Sequence, residues 1–163
     1  MREEQKNIID KSREYFYKGY LCQMRGDYDK AIQNYEKSID VYPTAEAFTF
    51  LGWTYSFKGD LERAISECKN AIDIDPDYGN PYNDIGAYLL QQGQVDEAIT
   101  WFELAINSKR YENVEFAHLN LAKALEMKGL WFEALDEYKM AIGKAPDYTE
   151  AKVHLNRLQG NLN

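Results

Sequence analysis

Cysteine is nearly absent from this chain of 163 residues: Cys22 and Cys68 are the only two. Two thiols in a chain of this length do not make a disulfide framework, so stability must come from a packed core. Long apolar runs are missing too. No stretch approaches a membrane span, and charges interrupt the first eleven residues, so no signal-peptide core is legible there. A cytoplasmic protein without membrane insertion is expected. Positive charge is in deficit: 19 Lys and Arg stand against 27 Asp and Glu, a net charge of −8. Nucleic acids and anionic membranes both require basic patches, and this balance excludes them as expected partners. Strand-like alternation, low-complexity segments and linkers are absent as well. What is present is enough for a core: 45% hydrophobic and 28% charged residues speak against disorder. Aromatic residues are abundant, with 13 Tyr, 7 Phe and 3 Trp.

The chain repeats itself. Gly26–Ile32 reads Gly-Asp-Tyr-Asp-Lys-Ala-Ile, and Gly59–Ile65 reads Gly-Asp-Leu-Glu-Arg-Ala-Ile. Gly93–Ile99 and Gly129–Leu135 follow with the same Gly-x-x-x-x-Ala-aliphatic frame. The glycines lie 33, 34 and 36 residues apart, and Ala31, Ala64, Ala98 and Ala134 keep the same intervals. Apolar spacing on either side of each glycine is helical, as in Phe48, Leu51, Gly52, Tyr55 and then Ala64, Ile65, Cys68, Ala71, Ile72. Each glycine therefore sits between two amphipathic helices, free to close the first with a positive φ. Asp27 and Asp60 can cap the second helix, and acids in its first turn suit the helix dipole. Asn80-Pro81 reads as an N-cap followed by proline at the first helical position. Asp147 and Glu150 have capping-box spacing.

These residues resemble the tetratricopeptide repeat, a helix–turn–helix unit of 34 residues. The second unit matches the pattern best, with Phe48, Leu51-Gly52, Tyr55, Gly59, Ala64, Cys68, Ala71 and Pro76. In the third, Arg110 replaces the proline and two extra residues precede the next unit. The resemblance implies an all-α fold, a right-handed α-α superhelix, with units at 12–44, 45–78, 79–114 and 115–148. Residues 1–11 are expected to extend the first helix, Ile8 and Ile9 covering that end, and residues 149–163 to form a solvating C-terminal cap.

In the family the first helices line a concave groove that binds other proteins. Carrying its groove positions onto this chain gives Arg13, Phe16, Tyr20, Gln23 and Met24 in the first unit. Thr49, Trp53 and Phe57 follow in the second, Asn80, Asn83, Ala87 and Leu90 in the third, and Leu119, Lys123 and Met127 in the fourth. Phe16, Tyr20, Trp53 and Phe57 fall outside the consensus core phase, which marks them as contact residues or as packing between helices. The carboxylate clamp of one subfamily lacks its cations here, since Phe16, Tyr20, Asn80 and Asp84 stand at its positions. No lysine or arginine occurs between Lys69 and Lys109, an acidic interval that is either a solvated face or a surface favouring a basic or amphipathic partner.

Other chemistry finds little support. Asp73, Asp75, Asp77 and Asp84 partly mimic a calcium loop, but Tyr78 stands where its glycine is required. His118 and His154 fit no zinc spacing, and both cysteines occupy core positions of the repeat. No phosphate loop or nucleophile elbow occurs, so neither catalysis nor a cofactor or metal is expected. The expected function is an adaptor or chaperone-like scaffold taking a peptide or helix in its groove. The alternative is self-assembly into a homo-oligomer.

Overall fold

A computed structural model describes residues 2–162. Among the described residues are nine helices: α1 (Glu3–Met24), α2 (Tyr28–Val41), α3 (Ala45–Phe57), α4 (Leu61–Ile74), α5 (Asn80–Gln91), α6 (Val95–Ile106), α7 (Val114–Met127), α8 (Trp131–Lys144) and α9 (Thr149–Leu162). They fall into two compact units, residues 1–76 and 77–163. In the first, α1 packs on α2 and α3 on α4, with α2 also against α3. In the second, α5 pairs with α6 and α7 with α8, α6 lies against α7, and α9 covers α8.

Each hairpin turn closes as its sequence dictates. Gly26, Gly59, Gly93 and Gly129 take φ between 76° and 81°, a left-handed conformation that resists any side chain. Asp27 and Asp60 then accept the backbone N–H of Lys30 and Arg63 and cap α2 and α4. At the corresponding places before α6 and α8, Gln94 and Leu130 give no side-chain cap. Two expected caps are displaced. Gly79, not Asn80, is the N-cap of α5, because Asn80 is already helical with Pro81 beside it. Helix α9 starts at Thr149, so the cap position falls to Tyr148 rather than Asp147. The Thr149 hydroxyl instead donates to the Asp147 carbonyl.

The core forms where large rings meet small residues. Tyr35 of α2 lies against Gly19 of α1, and Phe102 of α6 against Gly86 of α5; a Cβ at either glycine would fall within 2.8 Å of the ring. Ala31, Tyr35 and Leu51 are buried at the centre of unit 1, with Phe16, Cys22, Phe50 and Tyr55 packed around them. Leu119, Ala122, Ala134, Tyr138, Ala141, Ala151 and Leu158 form the corresponding cluster in unit 2. Polar side chains inside unit 1 are satisfied. The Ser12 hydroxyl donates to the Ser38 carbonyl and the Ser38 hydroxyl to the Ser12 carbonyl, tying α1 to α2. Residues 3–11 do extend α1, but Ile8 remains exposed and covers little.

The departure of the third repeat from the pattern at Arg110 has a visible use. The segment between α6 and α7 folds back on the start of α5, where Arg110 N–H donates to the Asp77 carbonyl and Gly79 N–H to the Arg110 carbonyl. The Arg110 guanidinium lies 4.3 Å from the centre of the Tyr78 ring. Tyr111 packs on Gly79 so closely that a Cβ there would lie 2.4 Å away. Arginine at the usual proline position thus supplies an N–H that proline lacks.

Candidate peptide-binding faces

Unit 1 presents a chain of rings. Tyr17 and Tyr20, one turn apart on α1, stack at 6.5 Å. Tyr20 meets Phe50 of α3 edge-on at 6.2 Å, and Phe50 meets Trp53 at 5.7 Å. Trp53 lies 5.5 Å from Phe57, which stacks on Tyr28 at 5.5 Å with the planes 10° apart. Helical periodicity explains the alignment. Phe50, Trp53 and Phe57 recur at i, i+3 and i+7, so they share one face of α3. Much of this row is open to solvent: Tyr17 is 60% exposed, Tyr20 36%, Met24 59%, Trp53 41% and Phe57 50%.

Of the residues expected here, Arg13 is exposed and pairs with Asp10 at 3.8 Å. Phe16 is half-buried beneath the row, 5.1 Å from Phe50 and 5.5 Å from Tyr35, and serves as its support. Tyr20, Met24, Trp53 and Phe57 lie at the surface. Thr49 and Gln23 must be corrected, because both side chains are buried. The Thr49 hydroxyl turns back to the Ala45 carbonyl at 2.7 Å. Gln23 Oε1 accepts from the hydroxyls of Tyr35 at 2.7 Å and Thr54 at 3.1 Å. An amide holding two core hydroxyls is not free for a ligand.

Unit 2 has a different face. Asn83 must be corrected like Thr49, because it is buried and its Oδ1 accepts from Asn120 Nδ2 at 3.0 Å. Asn80, Ala87 and Leu90 are half-buried on α5. Leu119 belongs to the core cluster of the unit, so its expected place at the surface is also corrected. Lys123 pairs with Glu150 at 2.5 Å, and Met127 is exposed. Met127 and Trp131 line a cleft of about 330 Å³ with Tyr138, His154 and Arg157. One Arg157 nitrogen donates to both carboxylate oxygens of Glu126, at 2.6 and 2.7 Å, and the Tyr138 hydroxyl donates to the same group at 2.9 Å. Burial raises the Glu126 carboxyl, but these hydrogen bonds outweigh it and hold it below the usual range. His154 stacks on Tyr138 at 5.5 Å and is lowered by burial, then by the cations of Lys123 and Arg157. The cations of this face are therefore engaged with carboxylates of their own unit.

Asp84 on α5 is pushed up to about 7 by burial, against a hydrogen bond from Asn83. Among the described residues no group of three or more His, Cys, Asp or Glu could hold a metal ion. No described helix is long and apolar enough to cross a membrane.

Sequence reading missed Tyr17, Phe50, Tyr28 and Trp131. For Tyr17 the signal existed: it precedes Tyr20 by three residues and so shares its face. Tyr28 and Trp131 stand at the starts of second helices, where the family's groove register assigns nothing.

No curated protein matches the sequence significantly. Among solved structures, PilF of Pseudomonas aeruginosa is similar over 95% of this chain and 70% of its own, with a TM-score of 0.88 at 17% identity. PilW, a widely conserved type IV pilus biogenesis factor, is similar over 91% of this chain and 68% of its own, with a TM-score of 0.82 at 20% identity. MamA is similar over 91% and 81%, with a TM-score of 0.74 at 23% identity. Such likeness shows the fold. Family models of the tetratricopeptide repeat match residues 12–44 and 58–113, together more than half of the chain. With four Gly-hinged helical hairpins and these matches in agreement, the chain belongs to the tetratricopeptide repeat family, whose members are in general protein-interaction scaffolds.

Proposed function

We propose that this scaffold binds a peptide or helix of a partner protein on the helical face that carries Tyr20, Met24, Trp53 and Phe57. The observation that supports it is the row of partly exposed rings on unit 1, held from below by Phe16 and Phe50. Tyrosine and tryptophan give large contact areas with few rotatable bonds, so they lose little entropy on binding. Rings locked against one another are pre-organised, which lowers that cost further. Asn80, Ala87, Leu90, Lys123 and Met127 form a second, more polar set on unit 2.

Area favours a peptide over self-assembly through this face. Five large side chains, each about half exposed, offer roughly 500 Å². Two such faces would bury about 1,000 Å² in total, below the range of stable interfaces. A segment draped over the row uses the same area without pairing two whole surfaces.

A library of displayed dodecapeptides, panned on the wild-type protein, tests the reading. Peptides selected in this way are expected to bind the Tyr20→Ala, Trp53→Ala double variant at least tenfold more weakly, with helicity by circular dichroism unchanged. Equal binding to the variant would place the contact elsewhere.

A further inference from the structure

Ring faces in this protein are treated in two ways. Tyr15 carries two lysines, with the Lys18 nitrogen 5.5 Å and the Lys37 nitrogen 6.0 Å from its ring centre. Tyr55 carries the Arg63 guanidinium at 5.5 Å, and Tyr78 that of Arg110 at 4.3 Å. None of the rings in the exposed row has such a cation: among the described residues no lysine or arginine lies over Tyr17, Tyr20, Trp53 or Phe57. The cations next to them in sequence are tied elsewhere. Lys18 pairs with Glu14 at 2.6 Å, and Lys58, which follows Phe57, pairs with Asp29.

Resting on the peptide-binding reading of this face, we propose that its ligand is an arginine-bearing segment whose guanidinium lies on the open faces of Trp53 and its neighbouring rings. Three observations converge. The rings are partly exposed and, among the described residues, left without a cation of the protein's own. Tryptophan is the strongest ring partner for a cation, and guanidinium is more weakly hydrated than ammonium, so it gives up less water to stack. The chain carries a net charge of −8, and acidic residues outnumber basic ones in both units, so a basic segment is drawn to it and an acidic one repelled. The apolar spacers of such a segment fit Met24, which is exposed one turn beyond Tyr20 on α1 and bears no charge. A second copy of this chain is a poorer occupant, because two negative molecules would meet across a small area.

Dodecapeptides selected on the wild-type protein provide the test. Arginine is expected to be enriched among them, with lysine second. A selected peptide is then synthesised with each arginine replaced by citrulline, which keeps the shape and removes the charge. Calorimetric titration should show at least a tenfold weaker Kd for the citrulline form. Trp53→Leu keeps an apolar side chain and removes the ring. It should weaken the arginine peptide at least fivefold while changing the citrulline peptide by less than twofold.

Selected peptides without basic residues, or equal binding of the two forms, would overturn the cation-on-ring inference and leave the peptide-binding reading standing. A preference for arginine that survives Trp53→Leu undiminished would overturn it too, since general attraction to an acidic protein would then explain the preference. If panning yields no binder that Tyr20→Ala, Trp53→Ala weakens, the face itself is wrongly assigned and both readings fall.

Discussion

Each unit has a core of its own built on the same plan, and the two differ in what they show to solvent. In each, a tyrosine of a second helix, Tyr35 or Tyr138, is fully buried in the core cluster. On the surface of unit 1, rings lie open from Tyr17 to Phe57. On unit 2, ion pairs occupy the outer side of the first helices, Lys123 with Glu150 and Glu126 with Arg157, while the Asn83 amide is buried against Asn120. The difference teaches that core and surface positions of this repeat vary independently. A buried ring must fill a fixed volume, so packing constrains it. A side chain on the outer face is only partly enclosed, so packing constrains it less and its identity is freer to follow a partner.

The largest expected effect tests the shared half of the comparison. Tyr35→Ala and Tyr138→Ala should each destabilise by roughly 3–5 kcal/mol, since each empties a ring-sized volume in a closed core. Urea unfolding followed by circular dichroism measures this. A marked inequality between the two would show that one unit repacks and the other does not.

A smaller effect separates the units by pH. The Asp84 carboxyl of unit 2 has a folded pKa raised to about 7 by burial, above its ordinary value of 3.8. Its neutral form is the one that suits the fold. The stability it allows is complete below the unfolded value and is lost as pH rises through about 7. Wild-type urea midpoints should therefore fall between pH 5 and pH 8, by up to a few kcal/mol in free energy. Asp84→Asn, which mimics the neutral acid, should flatten that dependence. An unchanged slope would show that Asp84 does not hold its proton.

The smallest effect concerns the helix caps. Asp60→Ala in unit 1 should cost about 1 kcal/mol, because the Arg63 N–H loses its acceptor. Gln94→Asp in unit 2 should gain a similar or smaller amount by supplying the missing cap. Thermal melts of the pair measure how far capping alone distinguishes the units.

Much of the fold was legible because its signals are local. The positive φ at the four hinges needs glycine wherever the chain runs, and Asp27 and Asp60 cap N–H groups three residues away. The site was legible only in part. Tyr20, Met24, Trp53 and Phe57 could be placed by register, and the structure finds them exposed. Thr49, Asn83, Leu119 and Gln23 share that register yet are buried. Register fixes the direction of a side chain from its own helix, but not what the neighbouring helices leave uncovered.

The repeat, its hinges, the Asp27 and Asp60 caps and the core residues at consensus positions were thus readable from the amino-acid order alone, since each rests on short-range geometry or on helical period. Only the tertiary structure decided which rings touch, which lie open and which carry a cation. Those properties depend on distances between helices, such as Tyr20 on α1 to Phe50 on α3 at 6.2 Å. No spacing within a single helix encodes them.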